Sequence, residues 1–179
     1  MKKALSAVIF VFLSINAFTQ VFNSGHILRP GQFTAGMNPV LNDRDGGFYL
    51  HGGYGLNKKV DFGMRYGILE GQDYFGADFE WALMQSRTWN VSLITGAHVR
   101  RVMGLDGGLV VSYAVAQSAT IFAGVDVDLD FYDETEHYTW VPLGVEVYWR
   151  RNTSVILEAD IPMSDWAWNI FGGGLAFYF

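Results

Sequence analysis

The stretch DVDLDFYDETEH, Asp126 to His137, holds the densest set of potential ligands in the chain. Asp126, Asp128 and Asp130 match the first three liganding positions of a calcium loop, which takes glycine at its sixth place and glutamate at its twelfth. Phe131 and His137 stand at those two places, and Val127 and Leu129 between the aspartates suit extended chain. The stretch is therefore not a calcium loop. Its three carboxylates read as a row on one face of a strand, weak cation candidates to which no metal is assigned.

Acid–base chemistry would have to use a histidine. His51 and Arg65 fall opposite each other across the Asn57–Lys59 turn, with Asp78 on the following segment. That set reads as an internal ion-pair network rather than a catalytic one. His98 and Arg100 end one segment, Asp128 and Asp130 end the next but one, and a further segment lies between them. Two strand spacings of roughly 4.8 Å put these walls about 10 Å apart, whereas a His–Asp catalytic pair needs ~3 Å. The serines Ser86, Ser92, Ser112, Ser118 and Ser154 sit in turns or strands without a nucleophile elbow. The chain has no cysteine, so thiolate chemistry, disulfides and lipidation at an N-terminal cysteine are excluded. Its glycines fall within strand-like runs and form no phosphate-binding motif. A net charge of −6 disfavours nucleic acid as a partner. No catalytic residue and no cofactor is assigned.

The elements that position these groups are all strand-like. MKKALSAVIFVFLSINAFTQ has a basic start at Lys2 and Lys3 and an apolar run from Ala4 to Leu13. That run is far shorter than the roughly 20 residues of a membrane-spanning helix, and it reads as a signal peptide over 1–19, cleaved between 17 and 20. A short periplasmic segment over 20–31 and a single domain over 32–179 follow. Half the residues are hydrophobic and 16% aromatic, which argues against disorder. Strand-like runs recur at 32–41, 47–56, 60–69, 73–84, 88–100, 107–116, 119–131, 138–149, 153–163 and 167–179. Most suffice for a tilted transmembrane strand of about 9–11 residues.

Alternation within these runs decides the class. Val60, Phe62, Met64, Tyr66 and Ile68 oppose Asp61, Gly63, Arg65 and Gly67. Val141, Leu143, Val145, Val147 and Trp149 oppose Gly144, Glu146 and Tyr148, and Val155, Leu157, Ala159, Ile161 and Met163 oppose Glu158 and Asp160. A soluble sandwich also alternates, but its bulk lies inside. Here the apolar faces are bulky and the opposite faces small or charged, the inversion that a closed barrel in lipid requires. Closure also removes edge strands that lipid would leave unsatisfied. The fold predicted is all-β, a closed antiparallel transmembrane β-barrel of ten strands, with eight as the alternative. Its interior takes Asp61, Asp78, Glu80, Asp126, Asp128, Asp130, Glu146, Glu158 and Asp160 against Arg65 and Arg100. Such an excess of unpaired charge is costly to bury dry, which implies a hydrated, cation-attracting lumen.

The chain ends FGGGLAFYF, with Phe171, Leu175, Phe177 and Phe179 on one face. This terminus resembles the C-terminal strand signal of bacterial outer-membrane β-barrel proteins, and the likeness extends over the signal peptide and the alternating strands. The resemblance implies a Gram-negative outer-membrane location, contact with lipid and lipopolysaccharide, and recognition of the last strand by the outer-membrane assembly machinery. It implies an architecture rather than an activity. Tyr74, Tyr113, Tyr138 and Trp140 are expected at one rim, and Trp81, Trp89, Trp149 and Phe179 at the other, as two aromatic girdles. The functions that follow are a non-enzymatic envelope or surface-interaction role, or a narrow porin-like cation passage. A hydrolase or protease acting at the outer rim is the alternative.

Connections fix the expected orientation. Short turns at 57–59, 85–87, 117–118 and 150–152 carry Lys58, Lys59, Arg87, Arg150 and Arg151 and no acid. Longer loops are expected at Arg101–Asp106 and Tyr132–His137, and the loop side carries the acids not assigned to the lumen, Asp43, Asp45, Glu70, Asp73, Asp106, Asp133, Glu134, Glu136 and Asp165, with Arg44 and Arg101 as its bases. Short turns face the periplasm in bacterial outer-membrane barrels. A cysteine introduced as Lys58→Cys is therefore expected to react with a membrane-impermeant maleimide only after the envelope is permeabilised, and Asp133→Cys to react on intact cells. Labelling of position 58 on sealed cells contradicts this topology.

Overall fold

The computed structural model describes residues 24–42, 46–69, 72–165 and 167–179. The signal-like segment Met1–Thr19, and the charged positions Asp43, Arg44, Asp45 and Glu70, lie outside the described residues. Ten strands follow in chain order: β1 (Phe33–Asn42), β2 (Gly46–Asn57), β3 (Val60–Leu69), β4 (Gln72–Gln85), β5 (Trp89–Val99), β6 (Met103–Ala116), β7 (Ala119–Phe131), β8 (Thr135–Arg150), β9 (Thr153–Pro162) and β10 (Ile170–Tyr178). Each pairs antiparallel with its neighbours in sequence, and β1 pairs with β10, so the sheet closes on itself. Phe33 and Phe179 seal the seam below these strands: each backbone N–H donates to the other's carbonyl, at 3.2 and 2.8 Å.

Period-two patterning sorts the side chains as the pleat requires. Phe75, Phe79, Val125, Leu143, Ile161, Leu175 and Phe177 lie exposed on the outer face, and their neighbours one residue along are directed inward. No helix among the described residues is long and apolar enough to cross a membrane. The crossing is made by strands that pair on both sides around a closed barrel, the sheet arrangement that hydrocarbon tolerates.

Connection lengths differ from those read in the sequence. The link between β5 and β6 is Arg100–Val102 and that between β7 and β8 is Tyr132–Glu134, because β6 and β8 begin four and three residues earlier than their hydrophobic runs suggest. Asp106 is consequently a strand residue. Only the segment between β9 and β10, residues 163–169, is distinctly longer than the turns at the other end. Each of the four hairpins at the end that holds Phe33 and Phe179 carries a register shift, at Gly55/Asn57, Ala82/Met84, Ala114/Ala116 and Tyr148/Arg150. Shifts of this kind bend a strand locally and are common at barrel rims.

Before β1 the chain doubles back into the barrel mouth. Ser24, Ile27 and Leu28 are buried there, and Gly31 and Gln32 exchange backbone hydrogen bonds with Gly55 at 2.8 and 2.9 Å. A Cβ at Gly55 would collide with the Arg29 carbonyl, so a glycine is needed where this strap crosses β2.

Leu143 sits near the middle of β8 and is 41% exposed on the outer face. Leu143→Arg is expected to lower stability by about 2–4 kcal/mol, the range for a cation at the bilayer midplane, and Leu143→Ala to cost far less. Urea unfolding from lipid vesicles reads both. A Leu143→Arg barrel as stable as the parent would mean that this face does not meet lipid.

Candidate functional site

Among the described residues the chemical groups gather in the interior, which is built in three zones. At the end holding the 163–169 loop, Tyr49, Tyr74, Tyr138 and Trp140 pack with Val40 and Ile170. Trp168, from that loop, lies edge-on to Tyr138 and Trp140, and the Trp140 indole N–H donates to its carbonyl at 3.0 Å. Trp140 and Tyr74 are each only 1% exposed. Tyr74, Tyr138 and Trp140 are thus not part of a lipid-facing girdle. They share parity with Gly76, Asp78, Gly144 and Glu146, and strand parity governs the face whatever the residue type. Tyr113 packs beside Trp89, 4.6 Å between ring centroids, at the opposite rim from the one expected. Trp81, Trp89, Trp149 and Phe179 are exposed at that rim.

The charged zone follows. Asp126, Asp128 and Asp130 succeed one another along the inner face of β7, all buried. Asp130 accepts from Arg100 Nε–H at 2.9 Å, has Arg100 Nη2 2.7 Å away as an ion pair, and lies 2.8 Å from His98 Nε2. The wide gap expected between His98 and Asp130 is absent. Both pair in register with Gly104 of the intervening β6, and the missing side chain leaves them room to meet over its backbone. A Cβ on Gly104 would strike the His98 ring and the Asp130 carboxylate. His98 Nδ1 meets Asp106, a residue that sequence reasoning placed in a loop although it shares parity with Gly104 and Gly108. The Tyr74 ring stacks on His98 at 5.4 Å, and Arg100 lies 4.8 Å from the Tyr138 ring centre.

Arg65 pairs with Asp78, and His51 stands opposite Arg65 in register. Glu80 accepts from Ser92 Oγ at 2.5 Å. Glu158 and Asp160 are buried on β9. Towards the other mouth Ile94, Val110, Phe122, Ile156 and Ala176 form a second apolar layer. Glu146 accepts from Tyr178 Oη at 2.5 Å and from Ser24 Oγ of the strap at 2.8 Å, and Asp61 accepts from the Leu28 N–H at 2.9 Å. Between strap and wall a polar cavity is lined by His51, Asp61, Arg65, Glu80, Ser24 and Leu28, among others. The strap was not legible because it carries neither period two nor a charge pattern. Phe171, Leu175, Phe177 and Phe179 all point outward on the last strand and its end.

This arrangement brings opposite charges into direct contact. A general base needs a ring nitrogen free to take a proton within hydrogen-bond reach of substrate. His98 is fully buried, and both of its ring nitrogens face carboxylates.

No protein-family model matches the chain, and no curated protein matches it. The likeness is to solved structures. It aligns with the NanC porin at 7% identity and a TM-score of 0.60, over 81% of this chain and 98% of the porin. It aligns with the KdgM porin at 6% identity and a TM-score of 0.53, over 82% and 99%. The KdgM porin solved in complex with disordered oligogalacturonate gives 10% identity and a TM-score of 0.52, over 83% and 99%. At these identities the likeness is one of fold: a small outer-membrane-type β-barrel.

Gly104 and Gly107 separate packing from propensity. Gly104 faces His98, whereas a Cβ on Gly107 meets nothing within 4 Å. Gly104→Val is expected to destabilise by about 1–3 kcal/mol, the usual cost of overpacking, and Gly107→Val to be neutral or stabilising. Equal urea midpoints for the two variants would contradict the inner packing described.

Proposed function

We propose that this chain is an integral outer-membrane protein whose barrel is packed shut, acting in envelope structure and surface interaction rather than in solute passage or catalysis. The observation that carries the reading is the filled interior. Two apolar layers, around Trp140 at one end and Phe122 at the other, bracket the charged zone, and large side chains in both are almost wholly buried. Ten strands enclose a space that side chains can fill, as they do in barrels of near that size.

The outer belt supports residence in lipid, and the porin-like fold supports the outer membrane as the membrane concerned. In this reading the bases Lys58, Lys59, Arg87, Arg150 and Arg151 face the periplasm, while Asp133, Glu134 and Asp165 lie exposed at the outer end. Lipid and lipopolysaccharide are the immediate partners, and the assembly machinery reads β10. The fold neighbours named porins favour passage as the second reading, and the acidic interior would make any such passage cation-selective. The buried His98 speaks against a rim hydrolase.

Planar-bilayer recording decides between the two readings. The reconstituted barrel is expected to show no unitary steps in potassium chloride, and a variant thinned at the outer layer, Trp140→Gly with Trp168→Gly, to leak. Regular cation-selective steps from the parent chain would overturn the closed reading in favour of passage.

A further inference from the structure

Asp106 and Asp128 face each other in register across β6 and β7. One carboxyl oxygen of each lies within 4.8 Å of the other. Two carboxylates this close repel one another unless a proton or a cation offsets their charge. Asp106 Oδ2 is buried and has no hydrogen-bond donor, on a side chain only 7% exposed. His98 completes the group: its ring nitrogen and one oxygen from each aspartate all lie within 4.8 Å of one another.

The surroundings favour the cation. His98 Nε2 lies 2.8 Å from Asp130, which Arg100 holds in place. An ion at Nδ1 takes the place of the proton which that nitrogen shares with Asp106, while the proton on Nε2 stays directed at Asp130. A carboxylate that fixes the far nitrogen of an imidazole is the usual outer support of a histidine metal ligand. Two carboxylates neutralise a divalent ion, and an imidazole nitrogen selects first-row transition ions over magnesium and calcium, which take oxygen.

We propose that His98 Nδ1, Asp106 and Asp128 form a binding site for a divalent transition ion, zinc being the probe, with Asp130 as the residue that orients the imidazole. The site would tie β5, β6 and β7 together beneath the aromatic cap, and it does not depend on whether the barrel conducts.

The test uses the full barrel folded in detergent, stripped with EDTA and dialysed. Zinc titration by calorimetry is expected to show one equivalent bound, with a rise in urea midpoint because the ion binds only the folded state. Cobalt should give visible bands of mixed nitrogen and oxygen coordination. His98→Gln and Asp106→Asn should abolish the stoichiometric step, and Asp130→Asn should weaken it by about 10–100-fold. Glu158→Gln, elsewhere in the acidic interior, should leave it intact. A folded parent barrel that takes up no zinc and gives no cobalt bands would overturn the proposal and leave a proton-sharing pair. Binding unchanged in folded His98→Gln and Asp106→Asn would overturn it as well.

Discussion

The pairing of β1 with β10 is the contact on which everything else rests. A peptide group left unpaired in hydrocarbon costs several kcal/mol, so an open sheet of these strands could not stay in lipid. Closing at ten strands fixes the girth, and the girth fixes what the interior can hold. Side chains directed inward from opposite walls must interleave. They do so by lying flat over glycines of neighbouring strands: Tyr49 over Gly67, His51 over Gly36, Phe122 over Gly144 and His98 over Gly104. The abundance of glycine on the inner face is thus a packing requirement of a narrow closed barrel.

The same narrowness accounts for the polar interior. Inward parity combined with an apolar outer belt leaves the charged residues nowhere else to go. Several are met by direct partners: Arg65 with Asp78, Arg100 and His98 with Asp130, Ser92 with Glu80, Tyr178 and Ser24 with Glu146. Removing one member of such a pair leaves a buried charge unmatched, which costs more than the pair itself contributes. The strap adds further partners: the Leu28 N–H meets Asp61, and Ser24 joins Tyr178 at Glu146.

Much of this was legible beforehand. Ten strand-like runs correspond to the ten strands, since period-two alternation of bulky against small or charged residues survives almost every register. Parity also placed Asp78, Asp128, Glu146 and Glu158 on the inner wall. The misreadings share a cause. Residue type alone puts Tyr74, Tyr138 and Trp140 at the lipid boundary, although their parity sets them inside. Asp106 was lost because Gly104, Gly107 and Gly108 weaken the hydrophobic pattern at the start of β6. The His98–Asp130 contact depends on one glycine between two strands, and strand spacing alone cannot reveal it. The strap at 24–32 has no periodic signature, so only three-dimensional structure exposes it.

Trp140 reports on the filled, inward-facing interior more directly than any other residue. A barrel whose only tryptophan is Trp140, the others replaced by phenylalanine, can be folded into vesicles and its fluorescence challenged from two sides. Brominated acyl chains and aqueous iodide should both leave its emission nearly unchanged, because the ring packs against Tyr138 and residue 168. Quenching by brominated lipid would place the ring on the outer face, and strong quenching by iodide would show a lumen open to water; either result would contradict the closed barrel described here.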